Sequence, residues 1–385
     1  MLEPARLRIL ETDPQDDFSL PGWIYHDPEY FRVEMERVIR PSWQIVCHQS
    51  DIPAPGDWRT LDLLGESIIV IRGQDDAVRA FANVCRHRGS RLVDGLEGCA
   101  KRLTCPYHAW TYATDGRLIG LPHREDYVDL DPSEWGLFPV ELEAWHGFLF
   151  IRLERGGPSV SEMMMPHEAE IAPHCFEELR ALGRITLRPR DVNWKNVADN
   201  YSDGLHINVA HPGLHRLFGD GYRIDADLNV DRMSGDLLDR PSPNISERAY
   251  QAMLPKDAGR TWLYFKLWPN VAFDIYPDQV DFMHFVPVSP TQTMIREISY
   301  ARPDARREMK AARYLNWRIN RQVNAEDTVL IRRVQQGMDS RLYTPGPLGR
   351  SEVCLRNFAS KLRRLIPESR LDSPPAPGWS GLPAR

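Results

Sequence analysis

The chain has 385 residues, with 48 Lys and Arg against 54 Asp and Glu and a net charge of −6. That length supports two domains with ample core, and the charge leaves no basic footprint for nucleic acid. Six cysteines do not make a disulfide scaffold at this length, no apolar run reaches a membrane span, and the opening MLEPARLRILETDPQDDFSL is too charged for a secretory signal, so the expectation is a soluble, cytoplasmic chain.

Residues 1–42 read as an extended lead followed by a helix. In DPEYFRVEMERVIRPSW, Asp27 is an N-cap, Pro28 takes the first helical position and Pro41 ends the run. Residues 43–155 are rich in short strands such as SIIVIR and FLFIRL, separated by Gly, Pro and Asp turns. A breaker cluster, Arg155-Gly156-Gly157-Pro158, marks the boundary to a second domain expected over 156–372. Within that domain, residues 260–300 alternate apolar and polar and read as antiparallel strands. Ala305 to Gln336 has helical periodicity, with Tyr314, Leu315, Ile319, Val323, Leu330 and Val334 recurring mostly at four- and seven-residue steps. The final segment 373–385, SPPAPGWSGLPAR, is expected to be a loose tail.

Two constellations carry chemistry. The first is Cys85-x-His87, seventeen residues, then Cys105-x-x-His108. Two thiolates and two imidazoles in split pairs match a Rieske [2Fe–2S] centre, in which cysteines hold one iron and histidines the other. A structural zinc site also uses two Cys and two His, but its usual spacings pair like with like. Cys47, Cys99, Cys175 and Cys354 lie in no motif and read as small buried hydrophobes. The second constellation is Asp203-x-x-His206-x-x-x-x-His211. Two histidines plus one distant carboxylate form the facial triad that binds non-haem Fe(II) and leaves positions open for oxygen. A spacing of five is not that of helix neighbours, so one histidine is expected at a helix end or a distorted turn.

These residues carry a family resemblance. The stretch CRHRGSRLVDGLEGCAKRLTCPYHAWTYATDG (85–116) resembles the cluster-binding region of Rieske non-haem iron oxygenase α subunits. NWKNVADNYSDGLHINVAH (193–211) resembles their mononuclear-iron segment, and WQIVCHQSDIPAPGDW (43–58) resembles their entry into the Rieske domain. The likeness extends over about residues 20–340. It implies an α+β fold: a small antiparallel β Rieske domain at 43–155, and a catalytic domain with a central antiparallel sheet flanked by helices, of helix-grip or START-like type. Residues 1–42 are then an extension packing on the catalytic domain. The implied cofactors are one Rieske [2Fe–2S] cluster on Cys85, His87, Cys105 and His108, and one mononuclear Fe(II) on His206, His211 and a third ligand.

The resemblance places that third ligand in the helix sequence NAEDTVLIRRVQQG, where Asp327 is favoured and Glu326 competes. Helix neighbours point about 100° apart, so only one of the two faces the iron. Asp203 resembles the family's bridging acid, set between the mononuclear iron and the Rieske histidine of a neighbouring subunit in a head-to-tail homotrimer; trimer against hexamer stays open. Asn200 resembles a pocket asparagine. Asp199 stands where many relatives carry Glu, Arg88 and Gly89 shape the first cluster loop, and Trp110 shields the cluster.

The implied function is that of a terminal oxygenase. It takes O2 and electrons from a separate NAD(P)H-dependent flavin/iron–sulfur reductase, with or without a ferredoxin, and hydroxylates or oxidatively demethylates a small organic substrate. No glycine-rich dinucleotide fingerprint follows a strand, which agrees with a separate reductase. His211-Pro212-Gly213 recurs in the α-only branch that oxidises betaines, carnitine and choline. Trp262, Tyr264, Phe265, Trp268, Phe273, Tyr276 and Phe282 are dense in the expected sheet. Such rings cage a quaternary ammonium group, line a pocket for an aromatic acid, or fill a core. Aromatic-carboxylate hydroxylases or dioxygenases and O- or N-demethylases therefore remain rivals. So does an electron-transfer or sensor protein without turnover.

Overall fold

The computed structural model describes residues 14–256 and 258–383. They fall into two compact units: Arg40–Arg180, and the chain before Arg40 together with the chain after Arg180.

The Arg40–Arg180 unit is built on a seven-stranded sheet. Its order is Gln44–His48, Phe148–Arg152, Pro139–Trp145, Val78–Ala82, Glu66–Arg72, Asp57–Leu63 and Glu97–Cys99, all antiparallel. SIIVIR lies in Glu66–Arg72, and the first five residues of FLFIRL form Phe148–Arg152, all of them buried. A second, three-stranded sheet runs Leu103–Thr104, Thr111–Tyr112 and Leu118–Gly120. Trp58, Ile69, Phe81, Leu103, Trp110 and Tyr112 close one core that also takes in Cys85 and Cys105. The two metal loops are thus anchored from a packed interior. The Gly156-Gly157-Pro158 cluster bends the chain inside this unit. Ser159 caps the next helix, Val160–Met164, through a reciprocal capping box with Glu162.

The other unit centres on an antiparallel sheet. Its main strands run Arg223–Ala226, Val230–Asp236, Thr261–Leu267, Val271–Ile275, Val280–Ser289 and Gln292–Ala301, and Thr186–Arg190 pairs with the last of these. Val271–Ile275 is buried along its whole length, because both faces of the sheet are covered. The 32-residue helix Arg307–Met338, about 48 Å at 1.5 Å per residue, lays Ala312 and Ile319 against Trp262, Tyr264 and Tyr276. The expected helix over 305–336 is therefore present, two residues further on at each end.

The N-terminal lead joins this unit. Asp27 accepts from Tyr30 N at 2.6 Å and Pro28 starts the helix Pro28–Glu34, which continues as a π-helical turn over Met35–Ile39. Glu34 forms a fully buried ion pair, 2.7 Å long, with Lys195 on the helix Trp194–Ser202. The Lys195 ammonium also donates to Ile24 O and faces the rings of Tyr25 and Tyr30. From the long helix, the Gln335 amide accepts from Asn193 N and Asn196 Nδ2 and donates to Tyr25 O. Near the C-terminus, the Pro- and Gly-rich segment forms turns pinned by the Glu29 carboxylate, which accepts from Gly378 N and Ser380 N.

Candidate metal centres

The two cluster loops share one backbone turn. Cys85 N donates to Ser90 O at 2.8 Å and Gly89 N to Cys85 O at 3.0 Å. In the second loop Cys105 N donates to Trp110 O at 2.8 Å and Ala109 N to Cys105 O at 3.0 Å. The residue four after each cysteine lies in the left-handed region, Gly89 at φ 75° and Ala109 at φ 56°. Glycine adopts this freely, whereas alanine does so at a cost of roughly 1–3 kcal/mol. Each loop therefore presents its cysteine inward and its histidine toward the same place. The rings of His87 and His108 lie 4.7 Å apart, edge to face. Trp110 stacks on His87 at 5.0 Å, and Tyr107 covers His108 at 3.8 Å.

The donor set fits an iron–sulfur cluster. Nδ1 of His87 and Nδ1 of His108 are both buried with no hydrogen-bond partner. Two buried ring nitrogens left bare are costly unless a metal occupies them. Both thiols are buried. Burial raises the Cys85 thiol above its ordinary pKa. For Cys105 burial acts the same way, but hydrogen bonds from the backbone of Tyr107 and His108 outweigh it and lower the pKa. Backbone donors aimed at sulfur are the feature that tunes such clusters. The Tyr112 hydroxyl sits 3.5 Å from Cys85 Sγ and accepts from Arg86 N at 3.0 Å.

The second centre lies in the other unit. The helix Trp194–Ser202 ends at Asp203, His206 stands just before the short helix Ile207–Ala210, and His211 stands between that helix and Pro212–Phe218. Both histidines thus sit at helix ends, and the break between the two short helices turns them toward each other. Their Nε2 atoms are 3.1 Å apart, and Asp327 Oδ1 lies 3.5 Å from His206 Nε2 and 3.0 Å from His211 Nε2. Among the described residues, His206, His211 and Asp327 are the group whose ligand atoms converge within 4.8 Å. The far nitrogen of each imidazole is held by a carboxylate: Asp203 Oδ2 at 3.1 Å from His206 Nδ1, and Glu326 Oε2 at 2.7 Å from His211 Nδ1. Asn200 Nδ2 donates to Asp327 Oδ1 at 3.1 Å.

This is a donor set for a divalent metal, two neutral imidazoles and one carboxylate with carboxylate-fixed tautomers. Burial alone lowers the His206 pKa, yet Asp203 and Asp327 outweigh it and lift it to about 9. Burial likewise raises Asp327, but the two histidines bring it down to about 2. These opposed shifts are those of unlike charges converging on one point. Glu326, a rival for third ligand in the sequence, here orients His211 instead, and Gln322 Nε2 steadies its other oxygen at 2.9 Å. Its second role follows from its place one residue before Asp327, about 100° round the helix.

The aromatic run of the sheet divides between two faces. Trp262, Tyr264 and Tyr276 join Ile207, Leu214, Leu217 and Phe218 in the core beside the second centre. Phe265, Phe273 and Phe282 are fully buried, at strand positions that point away from those three. Trp268 packs on Phe358 and under Lys361. Two residues of this region that carried no motif, Tyr201 and Asp274, are joined by a 2.5 Å hydrogen bond.

The chain matches the ring hydroxylating alpha subunit (catalytic domain) family over residues 176–368 and the Rieske [2Fe-2S] domain family over residues 42–133. It is 33% identical over 339 residues to the carnitine monooxygenase oxygenase subunit of Escherichia coli (strain K12), covering 86% of this chain and 87% of that one. It is 37% identical over 215 residues to the glycine betaine monooxygenase oxygenase subunit of Pseudomonas aeruginosa (strain UCBPP-PA14), covering 55% and 50%. A solved quaternary ammonium Rieske monooxygenase, studied for carnitine oxidation and inter-subunit electron transfer, superposes with a TM-score of 0.79 at 25% identity, covering 92% of this chain and 99% of that one. Both domains are thus found in the expected order along one chain, with their two iron cofactors, a Rieske [2Fe–2S] cluster and a mononuclear iron. The chain belongs to the Rieske non-haem iron oxygenases, as an α subunit of the ring-hydroxylating type.

Proposed function

We propose that this chain is the terminal oxygenase of a system that uses O2 and NAD(P)H-derived electrons to hydroxylate or oxidatively demethylate a small quaternary ammonium compound. The observation that carries the reading is the convergence of His206, His211 and Asp327 on one point, with a carboxylate behind each imidazole. The substrate class rests on the relatives, which are named for carnitine and glycine betaine.

In this reading Cys85 and Cys105 hold one iron of the cluster, and His87 and His108 hold the other through their bare Nδ1 atoms. His206, His211 and Asp327 hold the mononuclear iron. When bound, that iron supplies open coordination positions at which dioxygen is taken up and activated. The chain's own residues do the rest. Asp203 and Glu326 keep the protons of His206 and His211 on Nδ1, so both Nε2 lone pairs point inward. Asn200 fixes one oxygen of Asp327 and leaves the carboxylate a single orientation. Trp262, Phe218 and Tyr264 form an apolar and aromatic core on one side of the reacting centre.

Electrons come from a separate flavin/iron–sulfur reductase, with or without a ferredoxin. The active assembly is a homotrimer in the cytoplasm, in which Asp203 of one copy meets the Rieske His108 of the next. Several features support it. Asp203 and His206 keep about a fifth of their side-chain surface exposed (20% and 18%), with Leu205 and Val209 exposed beside them. On the Rieske loop Tyr107 is exposed too. No helix among the described residues is long and apolar enough to cross a membrane, and no cysteine is in a disulfide; Cys47 and Cys354 are buried as expected, whereas Cys99 is exposed and Cys175 half-buried. Residues 43–155 serve as the electron-accepting domain and 156–372 as the catalytic one, although residues 156–180 pack within the compact Arg40–Arg180 unit.

Reconstitution tests the function. With both metals loaded and a reductase and NADH supplied, glycine betaine, carnitine or choline should raise O2 uptake in step with NADH oxidation. Substrate-independent background with all three, from protein carrying both metals, would overturn the substrate class.

A further inference from the structure

The strand Val271–Ile275 reads VAFDI, and Asp274 is its one charged residue. In register it faces Tyr264 on one neighbouring strand and Asp281 on the other. Its carboxylate accepts from the Tyr201 hydroxyl at 2.5 Å and from the Tyr276 hydroxyl at 3.2 Å. The Tyr264 ring stands at the centre of this group, 6.5 Å from Tyr201, 6.1 Å from Tyr222 and 6.2 Å from Tyr276. No Lys, Arg or His among the described residues pairs with Asp274. Asp281 adds a second buried acid, held by Ser299 and Gln279.

A buried carboxylate without a counter-charge is costly, and a fold that needed only a hydrogen-bonding side chain there would do as well with Asn. Nor is Asp274 sealed into the packing. It keeps 8% of its surface and Tyr264 keeps 9%, while Trp262, Phe265 and Phe273 keep none, so acid and ring border open space. The Tyr222 hydroxyl feels the charges of Asp274 and of the iron-side Asp203 and Asp327 alike. The box and the metal triad are therefore adjacent.

We propose that Asp274, walled by Tyr201, Tyr222, Tyr264 and Tyr276, is the seat of the substrate's ammonium group and sets the specificity for a cation. The proposal rests on the quaternary ammonium reading above and gives it a location. Ring faces attract an ammonium through their quadrupoles, and a desolvated carboxylate adds a full opposite charge. An anionic aromatic acid meets the Asp274 carboxylate, whose partners are tyrosine hydroxyls and not a base, so the same box disfavours the rival substrate class.

Calorimetric binding to the holoenzyme tests this with three probes: tetramethylammonium, choline, and the neutral choline isostere 3,3-dimethyl-1-butanol. Asp274→Asn should weaken both cations about tenfold or more, and the isostere about twofold or less. Tyr222→Leu should weaken the cations about threefold while keeping the carboxylate. Metal content and unfolding temperature check that each variant is folded. If Asp274→Asn does not fold, Tyr276→Leu and Tyr264→Leu serve in the same comparison, with selective loss of cation affinity again expected. Wild-type holoenzyme that binds neither cation would overturn the quaternary ammonium reading itself. Wild-type that binds both, with Asp274→Asn or its substitutes binding cations and isostere in unchanged ratio, would overturn the Asp274 seat alone.

Discussion

Glu326 and Asp327 are consecutive acids on one helix with different tasks. Asp327 turns its Oδ1 to both imidazoles, and Glu326 grips the back of His211. Substitution should separate them. Asp327→Ala should lose the mononuclear iron while the cluster keeps its reduced EPR signal. Glu326→Gln should retain iron with affinity lowered by about 10–100-fold, the usual cost of losing a partner behind a ligand histidine. Metal quantification on the two proteins checks this, and iron lost from Glu326→Gln but kept by Asp327→Ala would reverse the assignment. At this scale the ligand types were legible because a metal restricts residue type and spacing together. The choice between adjacent acids was not, since it depends on the rotational phase of a 32-residue helix. Asp274 was equally silent in the sequence. It is one acid in a run of aromatics, and its tyrosine partners come from positions 73 and 2 residues away.

The elements that carry the second centre are welded by contacts far apart in the chain. Lys195 sits one turn before Asp199 on the helix that leads to Asp203, and its partner Glu34 lies in the N-terminal lead. Both side chains are completely buried, so removal of either leaves an uncompensated charge. Lys195→Met should therefore destabilise the protein by about 3–5 kcal/mol, read as a lowered unfolding temperature with iron still bound in the folded fraction. A Lys195→Met protein as stable as wild type would show that the pair is replaceable by apolar packing. In the other unit, strand Gln44–His48 carries a buried histidine whose pKa burial depresses from 6.5 to about 4. Folded His48 stays neutral where the unfolded side chain takes a proton. Its contribution is complete above about pH 6.5 and is lost as the pH falls toward 4, up to roughly 3 kcal/mol. Unfolding titrations at pH 7.5 and 5 check the direction: His48→Gln should narrow the gap between the two pH values. Strands and helices here followed from apolar periodicity and from the Asp27-Pro28 start. The Glu34–Lys195 weld did not, because no periodicity links residues 161 positions apart.

For the whole molecule, the order of the two domains and their iron cofactors was legible, because each family motif is dense and local. Assembly is encoded differently, in a surface spread over separate elements, and only its most polar point stands out. Asp203 anchors His206 Nδ1, accepts from Leu205 N at 2.8 Å and still reaches the surface. A carboxylate that holds one ligand histidine and meets another from a neighbouring copy joins the two centres electronically and fixes both tautomers. A head-to-tail contact of this kind gives a ring where its rotation closes, and the proposed ring has three copies. Light scattering should therefore report a trimer or a pair of trimers. Asp203→Asn should keep the trimer, the cluster and the mononuclear iron, because Asn retains an oxygen facing His206 and Asp203 is not a ligand. It should lose transfer between the centres, because the charge that stabilises both imidazole N–H groups is gone. With the cluster reduced beforehand, substrate and O2 added and a single turnover followed, cluster reoxidation should slow by about 100-fold or more, a barrier rise of about 3 kcal/mol. Wild-type reoxidation and product yield in Asp203→Asn, or full activity in a strictly monomeric preparation, would remove the bridge.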